Sequence, residues 1–460
     1  MKKSTVSICF AVLAAQVVVG AEYWVNQESG DDKYGGTEER PFRTFHRALE
    51  ALRGGDTLHI QPTKAPYAER FGELKLAATG GRCDGTPERP TVIDGHGATL
   101  SAFCRYPVTG WTDRGNGVWS AKPRNNAITS WGRGYYLSFP CVKVRTDGGW
   151  TWFKPVKSRE GLGEFEMHWT FGQHKTEKGM ARDADWGTLY VKLPAGMTPE
   201  TNEIWIPQAD NLVIGANCCV VRNINFEWST ADCIDSHRTK GSVVENVSVE
   251  WCLDQCISAH STKDLTVRYS YFAHALVGNV LDVSLGMNEP AHVKYLGCVF
   301  GEGTGVNFKG LGTNCLYEVE SCVIRDQARQ AVGAQHDVRV EVRNCVATGC
   351  RFGVCVDDTG SLLAEDCDFS GCKDAFTVWS KSFGPGSLTF RRCVFAPGQK
   401  MVLNGKEVTR AAAEAAGVVF ENCSFEGPKP GLGSRLAGIR PAAEWTKELL
   451  REELTKKGLR

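Results

Sequence analysis

The stretch Val221-Arg222-Asn223-Ile224-Asn225-Phe226 and its near copy Val244-Glu245-Asn246-Val247-Ser248-Val249 decide the fold. Each is a β-rich run, a turn-type polar residue, then a small or apolar residue with an aromatic or aliphatic one two positions later. The phrase returns as Val267-Arg268-Tyr269-Ser270-Tyr271-Phe272, and then in copies ending at Phe300, Ile324, Ala347, Phe369, Phe395 and Phe425. Successive ends lie 23, 23, 28, 24, 23, 22, 26 and 30 residues apart. That is the period of a solenoid whose rung is three short strands and their turns. One rung cannot bury its apolar side alone, so stacking at about 4.8 Å per rung has to create the core. The chain is therefore read as all-β, a parallel β-helix.

Two positions before each end stand Ile224, Val247, Ser270, Cys298, Cys322, Cys345, Cys367, Cys393 and Cys423. Stacked at strand spacing, six consecutive cysteines sit somewhat beyond disulfide distance, which predicts buried thiols acting as small hydrophobes. One position earlier come Asn223, Asn246, Asn344 and Asn422, with Ser321 and Asp366 in the same column. These residue types suit a corner in the backbone and can bond up and down the stack.

Working outward, Phe42, Phe45, Leu49 and Leu52 follow helical spacing after Pro41 and suit an amphipathic cap on the first rung. Residues 441–458, with Trp445, Leu449, Leu450 and Leu454 among Glu and Lys, read as a closing helix. The expected division is an export signal at 1–21, an N-terminal cap with the first rungs at 22–106, an inserted β domain at 107–207, further rungs at 208–430 and a C-terminal capping helix at 431–460. The insertion holds eight of the thirteen tryptophans. A shorter alanine-rich insertion spans about 401–417.

The basic Lys2 and Lys3, the apolar run from Val6 to Val19 and the small residues before Glu22 make up the export signal, which places the protein in the periplasm or outside the cell. No other segment is long enough to span a membrane. With 53 basic and 53 acidic residues there is no global field to draw nucleic acid, and a monomer is expected. The chain has no phosphate-binding glycine loop, zinc-type cysteine pairs or Gly-x-Ser-x-Gly elbow, so no cofactor is implied. Calcium is the one candidate, with Asp31 and Asp32 as ligands or, alternatively, as turn residues.

Side chains alternate along a strand, so one member per rung faces outward in each column. Aligning Cys233-Ile234-Asp235-Ser236-His237 with Cys256-Ile257-Ser258-Ala259-His260, with Val280-Leu281-Asp282-Val283-Ser284 and with later copies gives two such columns. The first reads Asp235, Ser258, Asp282, Asn307, Gly333, Cys355 and Thr377. The second reads His237, His260, Ser284, Lys309, Gln335, Asp357 and Trp379. Asp235 and Asp282 would stand about 9.6 Å apart, near the upper end of the separation used by inverting glycosidases. They are the expected acid and base, with His237 and His260 beside the gap to tune them. Lys309, Asn307, Asp357 and Trp379 are expected to contact a saccharide. Trp111, Trp131, Trp150, Trp152 and Trp169 are read either as the core of the insertion or as a wall of the groove.

Tyr23-Trp24-Val25-Asn26, Ser29-Gly30-Asp31-Asp32, Pro41-Phe42-Arg43-Thr44-Phe45, Gly54-Gly55-Asp56-Thr57-Leu58 and Val92-Ile93-Asp94-Gly95, with the rungs that follow, resemble the pectate-lyase-like superfamily of right-handed β-helix proteins. The Trp-rich segment resembles insertions in bacterial β-helix glycosidases. The resemblance implies a carbohydrate-active protein, but hydrolases, lyases, epimerases, esterases and non-catalytic fibres share this fold. The leading expectation is a glycoside hydrolase of polysaccharides. The second is a uronate lyase with Lys309 as base beside Asp282, Asp357 and Arg329. The third is a non-catalytic glycan-binding β-helix.

Overall fold

The computed structural model describes residues 20–456 apart from 68, 70, 71, 73, 124–140, 171, 172, 177, 178, 183, 209–211, 285–289, 381, 382 and 428–445. The bulk of the expected export signal, with Trp131 and Trp445, lies outside the described residues. Among the described residues no helix is long and apolar enough to cross a membrane.

The chain winds as a right-handed parallel β-helix with three strands per rung. One complete rung shows the pattern. Val243–Glu245 lies on the first face, Ser248–Glu250 on the second and Gln255–His260 on the third. Each strand pairs in parallel with its copies on the rungs before and after. The second face is an eight-stranded sheet whose inward column runs Leu100, Phe226, Val249, Phe272, Phe300, Ile324 and Ala347. These include the phrase ends read from the sequence.

The corner between the first and second faces turns on one residue in the left-handed region. Asn223, Asn246, Ser321, Asn344, Asp366 and Asn422 all have φ between 49° and 58°. Short polar side chains tolerate that conformation because they bond locally. Asn246 Nδ2 donates to Asn223 Oδ1 at 2.6 Å, and Asn223 Nδ2 to Asp94 Oδ1 at 2.9 Å. Next to this column, Cys298, Cys322, Cys345, Cys367 and Cys393 are buried free thiols. Backbone N–H groups of Cys298 and Cys322 point at the sulfur of the cysteine one rung on, each at 3.4 Å.

Beside the corner the first face carries an outward ladder of alternating charge. Asp94, Arg222, Glu245 and Arg268 stand in register on successive rungs. Arg222 Nε donates to Asp94 at 2.7 Å and Arg268 Nε to Glu245 at 2.7 Å. After Leu296 the alternation resumes through Glu320, Arg343, Glu365, Arg391 and Glu421. Parallel in-register stacking puts equivalent residues opposite one another, where like charges would repel.

The cap helix Phe45–Ala51 is started by Thr44, whose hydroxyl accepts from Arg47 N, and it buries Phe45, Ala48 and Leu49 against the first rung. Asp32 accepts from the backbone N–H groups of Arg43 and Thr44 and from the Thr44 hydroxyl, each at 2.9 Å, while Asp31 accepts from Lys33 N. Both aspartates are thus engaged as turn residues. The alanine-rich insertion is a hairpin, Lys400–Leu403 with Lys406–Val408, followed by the helix Arg410–Ala415.

The C-terminal helix departs from the expectation of an end cap. Lys447–Lys456 lies along the side of the second face. Lys447 Nζ bonds Glu250 at 2.6 Å, Arg451 bonds Asn225 and Ser248, and Leu450 is buried among Tyr271, Ala273, Val299 and Val323. Those outward positions are apolar or aromatic on successive rungs, so they need a cover.

Candidate active site

The Trp-rich insertion occupies one specific turn. The second-face strand Thr99–Ser101 leads into its first strand, Phe103–Arg105, and its last strand, Ile204–Pro207, returns to the third face at Leu212–Ile214. On the following rungs the same turn is short and carries Trp228 to Asp232 and Trp251 to Asp254. The insertion therefore sits on those turns. Leu253 is buried in its core, together with Trp111 and Trp169, and Trp228 and Leu276 pack against that core. Trp150 and Trp152 lie outside the core, 37% and 41% exposed. Trp152 stacks on Trp228, Trp228 on Trp251 and Trp251 on His274, with ring centroids 5.4, 5.5 and 4.0 Å apart. This stack fastens the insertion along the solenoid and aligns the turns beneath it.

The third face supplies the outward columns, with one correction. Ile257 pairs with Val280 and His260 with Val283, so Asp282 falls opposite Ala259, in an inward column. A slip of one residue exchanges the two faces of a strand. Asp282 is fully buried, accepting from Tyr295 Oη at 2.7 Å and from Ala259 N at 2.8 Å. Burial pushes its pKa up to about 7, against the pull of those two bonds. It is an acid inside the solenoid and cannot be the partner of Asp235 in the groove. The same slip removes Ser284 from its column. The columns in the structure are Asp235, Ser258, Leu281, Asn307, Gly333, Cys355 and Thr377, and His237, His260, Val283, Lys309, Gln335, Asp357 and Trp379. The Lys309 side chain lies outside the described residues; its backbone pairs with Val283 and Gln335.

Asp235 finds different partners. His260 Nε2 is 3.4 Å from Asp232 Oδ2 and 3.8 Å from Asp235 Oδ1, and Ser258 Oγ is 3.0 Å from the same nitrogen. The His237 ring lies beside that of His260, with centroids 5.7 Å apart. One rung on, Asp254 is buried and accepts from Gln255 Nε2 at 2.5 Å. Neither Asp232 nor Asp254 belongs to a strand alternation, and the sequence reading missed both. The signal was present as the repeated Asp232-Cys233-Ile234 and Asp254-Gln255-Cys256-Ile257, acids placed where the turn enters the third face.

Burial raises the pKa of Asp235 to about 6, with His260 pulling it down and Asp232 pushing it up. Burial and the Asp232 charge hold Asp254 well above the usual carboxylate range. Burial works against protonation of His260, but the Asp232 hydrogen bond and the charges of Asp235, Asp232 and Asp282 outweigh it and raise its pKa. Burial, then His260 and Arg238, lower that of His237. One oxygen each of Asp232 and Asp235, shielded from solvent, has no hydrogen-bond partner among the described residues. Buried carboxyl oxygens without a hydrogen-bond partner are costly unless a ligand group completes them. Among the described residues no group of three His, Cys, Asp or Glu is arranged to hold a metal ion.

The fold and this turn-borne cluster define a right-handed β-helix protein with an acidic, histidine-flanked cluster on its third face. Residues 285–439 match the family model described as right handed beta helix region. Among solved structures the chain is similar to XylC, determined in complex with xylose, at 12% identity over 89% of this chain and 76% of that one, with a TM-score of 0.50. It is also similar to a glycoside hydrolase at 13% identity over 94% of this chain and 100% of that one, TM-score 0.49. A polygalacturonase from Erwinia carotovora ssp. carotovora aligns at 12% identity over 93% and 98%, TM-score 0.32. At these identities the likeness is one of fold. No curated protein gives a significant match to the sequence.

Proposed function

We propose that the chain is an exported glycoside hydrolase acting on polysaccharide, with Asp235 as general acid and Asp232 as the second carboxylate. The observation that carries this reading is the divided environment of two carboxylates on one rung. Asp235 is held as an acid by burial, while Asp232 makes the closer pair with His260. A carboxyl group kept protonated by burial next to a second carboxyl group is the arrangement an acid in glycosidic cleavage needs. In glycosidic cleavage the acid protonates the leaving oxygen. The other carboxylate activates water or attacks the sugar, stabilising the positive charge that develops on the ring. His260 lies between the two, its Nε2 3.4 Å from Asp232 and 3.8 Å from Asp235. Asp254 adds a buried acid behind Asp232.

The lyase grouping around Lys309 loses Asp282 to the interior, so it is not carried forward. A purely binding role would also complete the unpartnered carboxylate oxygens, and it is separated from hydrolysis by the absence of cleavage.

The test is incubation with soluble glucan, xylan, galactan, mannan and polygalacturonate, following reducing ends together with the absorbance of unsaturated uronates. Reducing ends without that absorbance, lost in Asp235→Asn and in Asp232→Asn, are expected. Both signals rising together assign a lyase, and silence across the panel leaves a binding protein.

A further inference from the structure

Trp379 is the most exposed large apolar residue among the described residues, at 51%. It stands in the same outward column as His260, reached through Val283, Lys309, Gln335 and Asp357. Five rungs at about 4.8 Å put it roughly 24 Å from the histidine, along the solenoid axis.

The ring is held in place from behind. A side chain at Gly405 would meet the Trp379 ring at 3.3 Å, so the glycine backbone lies against the indole. Gly405 and Asn404, with φ of 79° and 48°, form the tight turn of the hairpin that pairs Leu403 with Lys406. That turn is tied to the strand carrying the tryptophan. Asn404 N donates to Val378 O at 2.8 Å, Asn404 Oδ1 accepts from Ser380 N at 3.0 Å, and Asn404 Nδ2 donates to Ser380 O at 3.1 Å. An indole backed on one side and half open to solvent is a preorganised platform for a flat ligand with an apolar face and polar rim. Between it and the acids the groove presents the partly exposed amides of Asn307 and Gln335. Gly333 keeps the floor low, since a side chain there would strike Asn307 Oδ1 at 2.6 Å.

We infer that Trp379 is a distal sugar-stacking subsite of the same groove, so that the site takes a stretch of polysaccharide several sugars long rather than a mono- or disaccharide. The inference rests on the hydrolase reading for where cleavage falls, but not for binding. The outward columns run along the axis, as an extended chain of sugar rings would, and between the acids and Trp379 they present the amides of Asn307 and Gln335 and the carboxyl group of Asp357.

The experiment compares wild type, Trp379→Ala and Trp379→Phe. Cleavage is measured on whichever of the soluble glucan, xylan, galactan, mannan and polygalacturonate the wild type degrades, and on the trisaccharide of the same sugar. Retardation by each polymer in affinity gel electrophoresis is measured in parallel and needs no turnover. Trp379→Ala is expected to raise KM on the polymer about tenfold and to abolish retardation, while kcat/KM on the trisaccharide stays unchanged. Trp379→Phe is expected to restore most of the loss. Equal losses on polymer and trisaccharide, polymer kinetics and retardation that ignore the substitution, or a wild type that no polymer retards would each overturn the subsite. A change confined to self-association on size-exclusion chromatography would do the same. Retardation that depends on Trp379 without cleavage of any polymer would keep the subsite and remove the hydrolase.

Discussion

At the scale of single residues, the two acids that the sequence pairs lie on opposite faces of the third-face strands. Asp235 faces the groove and Asp282 the core, and their raised pKa values have separate consequences. For Asp235, acting as a proton donor, kcat/KM is expected to fall as pH rises through about 6. A pH–rate profile flat across that range would contradict its role. For Asp282 the consequence is stability. Its pKa is about 7 folded against the ordinary 3.8 of an aspartate, so the native state holds its proton longer than the unfolded chain does. Its contribution is fully present below about pH 4 and is lost as pH rises through about 7. Asp282→Asn is expected to flatten the fall of Tm between those limits, worth on the order of 4 kcal/mol, with activity retained. A wild-type-like decline of Tm in that variant would refute the buried-acid account. Asp235, His237 and His260 were legible because strand alternation exposes them. Asp282 was misplaced because Val280 and Leu281 are both apolar and fit either register, and only Asn279 in the Cys256 position marks the slip. Asp232 and Asp254 escaped because alternation has no hold on a turn.

At the scale of elements, the first-face ladder shows how a stacked repeat disposes of its charges. Arg268 answers Glu245 through two nitrogens, Nε at 2.7 Å and Nη2 at 2.5 Å. Arg268→Glu should therefore cost more than Arg268→Ala, by about 1 kcal/mol. Thermal melts in low and high salt check this. The difference should shrink as salt screens it, and a salt-independent or reversed difference would show that the ladder contributes nothing. The repeat made the inward columns readable in advance, because each copy repeats the phrase of the last. The seat of the C-terminal helix was not readable that way. Its amphipathic pattern shows that it needs a partner, and the partner is spread over Tyr271, Ala273, Val299 and Val323, on rungs whose outward faces no local rule joins.

At the scale of the whole molecule, insertion and solenoid together make the site. The insertion enters at the turn whose later copies carry Asp232 and Asp254, and the Trp152–Trp228–Trp251–His274 stack holds it over them. Burial is what raises Asp235, two to three residues beyond the turn on which the insertion packs. The groove then runs from that covered end to the exposed Trp379. The most direct measurement is kcat/KM for Asp232→Asn, Asp235→Asn and Asp282→Asn on one polymer that the wild type cleaves. The account predicts losses of roughly a thousandfold for the first two and near wild-type activity for the third. Loss in Asp282→Asn with activity kept in Asp232→Asn and Asp235→Asn would contradict it.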